Sequence, residues 1–235
     1  MNGNQNYTLP AIALALGIVI AGYLVGEALV QARSSQRSVS VRGLAEREVP
    51  ANLALWPIVF TVTSNDLGDL QRKTDDGVAK VRDFLAGDFR PEEVSVSAPR
   101  VQDREAQGMY SNGRPMDRYT AEVAVTVRTA NIEAARKAME RTGDLVKQGV
   151  AVIRSYEYNT QYLFTDLDRI KPEMIEQATR DARSAAEQFA KDSGSKVGAI
   201  RNAQQGYFSI EDRDPFSPEY KKVRVVTSVD YYLSD

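Results

Sequence analysis

LALWPIVFTVTSNDLGDLQRKTDDGVAKVRDFLAG, residues Leu53 to Gly87, changes its period halfway along. Leu53, Leu55, Ile58, Phe60 and Val62 read as a strand. From Asp66 onward, Leu67, Leu70, Thr74, Val78, Val81, Phe84 and Leu85 recur at three and four residues, the stripe of an amphipathic helix that ends near Gly87. Pro57 stands inside the strand and cannot donate to a ladder, so the sequence predicts an edge strand or a bulge there.

The same alternation extends on both sides. Upstream, Ser38 to Gly43 alternates polar and apolar until Pro50-Ala51-Asn52 breaks the run. Downstream, Val94, Val96 and Ala98 lead through the turn-rich segment Gln107 to Gly113 into Tyr119, Ala121, Val123, Val125 and Val127, a long hairpin with a protruding tip. A helix is expected from Asn131 to Lys147, with Asn131 as its N-cap. A strand through Tyr156, Tyr158, Thr160, Tyr162 and Phe164 follows. The next helix begins at Lys171-Pro172, a position that tolerates proline. It presents Ile175, Ala178, Ala182, Ala185, Ala186, Phe189 and Ala190 on one face, and Gly194 is its expected C-cap. Val197 to Ile210 and Lys222 to Leu233 form a last hairpin around the loop Glu211 to Pro218.

These readings give an α+β fold made of mainly antiparallel sheet with helices packed on one face. Two strand-helix-strand-strand units are expected, at about residues 38–130 and 152–235, joined by a helix and together forming the domain 38–235. One N-terminal transmembrane helix precedes them.

That helix is read from Leu9 to Gly26, LPAIALALGIVIAGYLVG, a run without a charge. At about 1.5 Å per residue it covers roughly 27 Å, close to the apolar thickness of a bilayer. Residues 1–8 are polar, 9–30 form the anchor or signal segment, and 31–37 a tether. The first eight residues carry no Lys or Arg, which favours a retained single-pass anchor over a cleaved signal, although Val30-Gln31-Ala32 offers a cleavage site. Arg33, Arg37, Arg42 and Arg47 follow the run and would hold the C-terminal domain in the cytoplasm, but this rule weakens when a long domain follows.

Thirty basic against 32 acidic side chains give a net charge of -2, with no basic block interleaved with aromatics, so no nucleic-acid partner is expected. The chain has no cysteine and no histidine. Disulfides, thiol nucleophiles, His-ligated metals and imidazole acid-base chemistry are therefore excluded. No cofactor and no resident metal are expected.

Two stretches carry a family resemblance. The first is Gly43-Leu44-Ala45-Glu46 with Val49-Pro50-Ala51-Asn52; the second is Ala178, Asp181-Ala182-Arg183, Ala186-Glu187, Ala190, Gly194, Val197 and Gly198. Together and in this order they resemble the SIMPL domain family of bacterial envelope proteins. Ala51 departs from the family's frequent Asp. The resemblance implies a periplasmic domain, links to oxidative-stress defence, large ring-like or channel-like oligomers in at least one member, and no catalytic residues. It turns the topology toward the bacterial inner membrane, single-pass, with the C-terminal domain in the periplasm, or a soluble periplasmic form if the leader is cleaved.

Several clusters have a chemical reading beside a plainer one. Glu211, Asp212 and Asp214 are the ligand type of calcium, yet Arg213 interrupts them and the loop reads as solvated. Asp166 and Asp168 resemble an acid-base pair, but Asp168 is better placed to cap the following helix. Ser193, Ser195 and Lys196 around Gly194 read as a helix terminus before a Ser-Lys dyad. Tyr156, Tyr158, Tyr162 and Phe164 share one strand face by parity, with Tyr231 and Tyr232 nearby, as a sheet core or a small-ligand face. Met109, Tyr110, Pro215 and Phe216 at the hairpin tips, with Pro57 at a strand edge, are the candidates for self-association into a homo-oligomer. The expected function is that of a non-enzymatic, membrane-anchored envelope protein that self-assembles or scaffolds partners. The alternative is a small-ligand-binding periplasmic domain.

Overall fold

A computed structural model describes residues 16–28, 37–106, 117–155 and 157–234. Residues 16–28 are helical (α1) and exposed. Among the described residues no helix is long and apolar enough to cross a membrane. The run Leu9–Gly26 begins outside them, as do most of the tether and the tip at Met109 and Tyr110.

The ordered elements are β1 (Ser38–Pro50), β2 (Leu53–Ser64), α2 (Leu67–Leu85), a single 3-10 turn (Pro91–Glu93), β3 (Val94–Val96), β4 (Arg100–Asp103) and β5 (Tyr119–Thr129). They continue with α3 (Ile132–Glu140), α4 (Gly143–Lys147), β6 (Ala151–Ile153), β7 (Gln161–Leu163), α5 (Leu167–Asp192), β8 (Lys196–Gln205), β9 (Ser209–Asp212) and β10 (Tyr220–Ser234). The fold is α+β, and the pairs β8–β10, β2–β5, β2–β6, β2–β7, β3–β5 and β4–β5 are antiparallel.

The chain divides into two compact units that interleave along the sequence. One takes the described residues of 1–46, 171–209 and 224–235; the other takes 47–170 and 210–223. The division expected between residues 130 and 152 is not the one the contacts make.

In the first unit, β10 lies between β1 and β8. Val39, Val229 and Tyr231 point from the sheet onto Ala182 and Ala186 of α5. The buried row of α5 is Met174, Ala178, Ala182, Ala186 and Ala190, an i+4 stripe narrower than the face read from the sequence. Ala185 and Phe189 are exposed. The helix ends as expected: Ser195 N–H donates to Ala190 O at 2.8 Å and Gly194 N–H to Lys191 O at 3.3 Å, with Gly194 at φ +69°. This is a Schellman closure, which glycine enters without a Cβ clash. The start differs from expectation. α5 begins at Leu167, so Pro172 and Asp168 lie inside the helix and Asp168 is not its cap.

In the second unit, β3, β5, β2 and β6 are ordered side by side, with β4 also on β5 and β7 also on β2. β2 and β5 pair from Ala54↔Thr129 to Ser64↔Tyr119. One face carries Ala54, Trp56, Ile58 and Phe60 with Val123, Val125 and Val127, and packs against Val81 and Leu85 of α2, Ala135 and Ala138 of α3, and Leu145 of α4. Burying each of the larger side chains is worth about 1.5–3 kcal/mol. The N-caps are local: Asp66 accepts from Asp69 N–H at 2.8 Å, and Asn131 from Ala134 N–H at 3.0 Å. The helix expected over 131–147 is two helices, α3 and α4, separated at Arg141-Thr142.

Candidate functional site

β2 is not the edge strand that Pro57 suggested. Along one side it pairs with β5 throughout; along the other it changes partner, with β7 opposite Leu53–Leu55 and β6 opposite Val59–Thr61. Trp56, Pro57 and Ile58 face no strand on that side. Ala124 spends both backbone groups on Ser97, accepting from its N–H at 2.9 Å and donating to its Oγ at 3.0 Å, so Ala124 faces away from β2. Its partner Val59 therefore faces away from β5, and by alternation so does Pro57. The missing proline donor falls in the gap between β7 and β6, where no ladder requires it.

A groove of about 550 Å³ opens at this gap. Trp56, Pro57, Met139, Val152, Ile153 and Tyr158 supply its apolar and aromatic walls. Thr142, Arg154, Ser155, Asn159 and Thr160 supply polar groups, and none of the described lining residues is acidic. Trp56 is only 5% exposed, so its indole is held by the core. Thr142 Oγ1 donates to Met139 O at 2.7 Å, which ties the α3–α4 junction to the rim. Beside Tyr158, Glu157 is engaged by Arg100 at 2.8 Å.

The aromatic series does not form one strand face. β6 ends at Ile153, β7 begins at Gln161, and the described residues between them are irregular. Tyr158 lines the groove. Tyr162 packs against the core, and its hydroxyl donates to Met139 Sδ at 3.7 Å. Burial pushes the Tyr162 phenol up from its ordinary pKa, with Glu219 adding to the shift. Phe164 is half-buried beyond β7, and Tyr156 lies outside the described residues. Pro57 and Tyr158 are thus the two predicted residues that meet. Trp56 and Arg154 were not singled out in the sequence. The Trp-Pro pair inside a strand was the one available signal.

The other candidates fall elsewhere. Pro215 and Phe216 occupy the β9–β10 loop, with Phe216 94% exposed. Tyr207, after β8, is 99% exposed. In the acidic loop Asp212 pairs with the buried Lys221, and Arg213 bonds Asp214 at 2.9 Å while stacking 4.5 Å from the Tyr220 ring centre. Arg213, then the Phe216 N–H, hold the Asp214 carboxyl below the usual range. Cations thus occupy these carboxylates. Asp166 accepts from Arg169 at 3.5 Å. Ser193 Oγ donates to Ala190 O at 3.2 Å and Ser195 Oγ accepts from Arg37 at 3.3 Å, so both hydroxyls belong to the end of α5. Among the described residues no cluster of three or more acidic, His or Cys side chains is placed to hold a metal ion.

No curated protein matches this chain. A profile of the SIMPL family, described as "Protein of unknown function (DUF541)", matches residues 39–231. That span contains Gly43 to Asn52 on and after β1 and Ala178 to Gly198 on and after α5, the two stretches that carry the resemblance. The chain belongs to the SIMPL family.

Proposed function

We propose that this is a non-catalytic, membrane-tethered envelope protein whose SIMPL domain assembles with further copies of itself in the periplasm. The observation that carries the reading is β8. It is a ten-residue strand whose one partner among the described residues is β10, and all of it except Val197 and Gly198 is exposed. A long open edge offers unpaired backbone groups to a strand of another copy. Phe216 and Tyr207 add exposed aromatic surface of the kind that contacts partners.

The tether follows from the run Leu9–Gly26. In its described part Leu16, Ile18, Val19, Ile20, Tyr23, Leu24 and Val25 are each 51–70% exposed. A lipid phase would remove that exposure. Anchoring in a plane also raises the local concentration for weak edge contacts. The sequence resemblance extends the role to envelope stress defence.

Light scattering after size exclusion of the full chain in detergent tests the assembly. Gly206 N–H bonds Val226 O, so by alternation Ala203 faces outward, and Ala203→Pro removes an outward donor while leaving the β8–β10 ladder intact. An oligomer that dissociates in this variant supports the reading. A wild-type protein that stays monomeric at high concentration overturns it.

A further inference from the structure

We propose that the groove beside Pro57 binds a small aryl monocarboxylate, its ring against Pro57 and Tyr158 and its carboxylate on Arg154. This inference does not depend on self-assembly.

The size is right for a small molecule, since about 550 Å³ lies within the range of roughly 300–1,000 Å³ typical of ligand pockets. A peptide strand does not fit the gap. Only three residues of β2 lack a partner there, and Pro57 in their middle has no N–H to offer. The walls select for flat apolar matter: Pro57, Ile153 and Tyr158 line the groove, with the core residue Trp56 bordering it, and aromatic rings stack well on a phenol.

The charge selects the sign. Arg154 makes no ion pair or hydrogen bond with any described residue, whereas Arg100 nearby is occupied by Glu157. No described lining residue is acidic, so an anion entering the groove meets a guanidinium that no described residue engages and no described carboxylate. A planar guanidinium matches a carboxylate with two parallel hydrogen bonds. Ser155 and Thr160 leave hydroxyls on the rim that adapt as donors or acceptors.

Trp56 is the only tryptophan in the chain and borders the groove, so a saturable change in its emission follows binding there. The test titrates the full chain in detergent with 3-phenylpropionate and with its neutral amide, following Trp56 fluorescence. A saturable change is expected with the carboxylate. The amide should bind at least about tenfold more weakly, the usual worth of a hydrogen bond to a charged group. Arg154→Gln should weaken the carboxylate by a similar factor and leave the amide unchanged. Arg154 is exposed, so the variant is expected to fold, and the amide comparison on the wild-type protein stands without it. Equal binding of acid and amide, unchanged binding in Arg154→Gln, or the absence of a saturable Trp56 response to the carboxylate each overturns the proposal.

Discussion

The backbone N–H of Leu44 donates to the carboxylate of Asp181 at 2.9 Å across 137 residues of sequence. One residue earlier, Gly43 presents only a hydrogen to α5. A Cβ at that position would stand 1.8 Å from Ala178 O and 2.4 Å from Ala182 N. β1 therefore lies directly on the backbone of the helix, and the alanine row of α5 is what permits the approach. β1 is also an edge of its sheet, so Asp181 occupies a donor that the free edge would expose. The two stretches that mark the family are thus the two sides of a single contact.

Gly43→Ala should be among the most disruptive single-methyl changes in the chain. The added carbon meets main-chain atoms, which cannot rotate away, so strand and helix must separate. Overpacking of this kind costs about 3 kcal/mol, and more when the backbone has to shift. Gly87→Ala is the comparison: nothing lies within 4 Å of its would-be Cβ. Urea unfolding midpoints should fall sharply for the first variant and stay near wild type for the second.

Asp181→Ala should cost about 1 kcal/mol, because the hydrogen bond it removes is exposed and water can replace it in part. Asp181→Asn keeps an acceptor and should lose less. Hydrogen exchange at the Leu44 amide reads the contact directly. Its protection should drop in Asp181→Ala while that of the β2–β5 ladder is unchanged.

What the sequence disclosed was local. Alternation in β1 and β5, the cap at Asn131, and the glycine closure at Gly194 each depend on a few neighbouring residues, and each is present in the structure. Parity misled at Tyr158 and Tyr162. A spacing of four preserves strand parity even when the chain between is irregular, so the aromatics could not reveal the break between β6 and β7. Pro57 was read correctly as a missing donor and wrongly as an edge, because the remedy is a change of partner strand, a non-local event. The groove was hidden for the same reason. Trp56 and Arg154 come from strands and loops that only the β2–β6 pairing brings together.

Asp69 should make part of the stability dependent on acid pH. Lys73 at 2.8 Å and the Ser64 hydroxyl at 2.7 Å, with Arg72 at 3.0 Å, hold its carboxyl down at about 2, against 3.8 ordinarily. The unfolded chain therefore takes up this proton first as pH falls. The stabilisation is complete above 3.8 and is lost progressively toward about 2. Asp69→Asn should flatten the plot of unfolding free energy against pH in that window, and added salt should shrink the difference because the group is partly exposed. A variant with the same acid slope as wild type would show that the ion pairs contribute nothing to folding.

Thr227→Val should stabilise the protein. Thr227 sits on β10, the central strand of its sheet, and is 5% exposed. Its Oγ1 is buried and has no hydrogen-bond partner among the described residues. Folding strips water from that hydroxyl and gives nothing in return, a cost of about 1–3 kcal/mol. Valine has the same branched shape and suits a strand at least as well, so the exchange removes the cost without opening a cavity. Thr74→Val provides the contrast, because the equally buried Thr74 Oγ1 donates to Leu70 O at 2.8 Å. Thermal melts should place Thr227→Val above wild type and Thr74→Val at or below it. A melt for Thr227→Val below wild type would mean that its hydroxyl does find a partner in the folded protein.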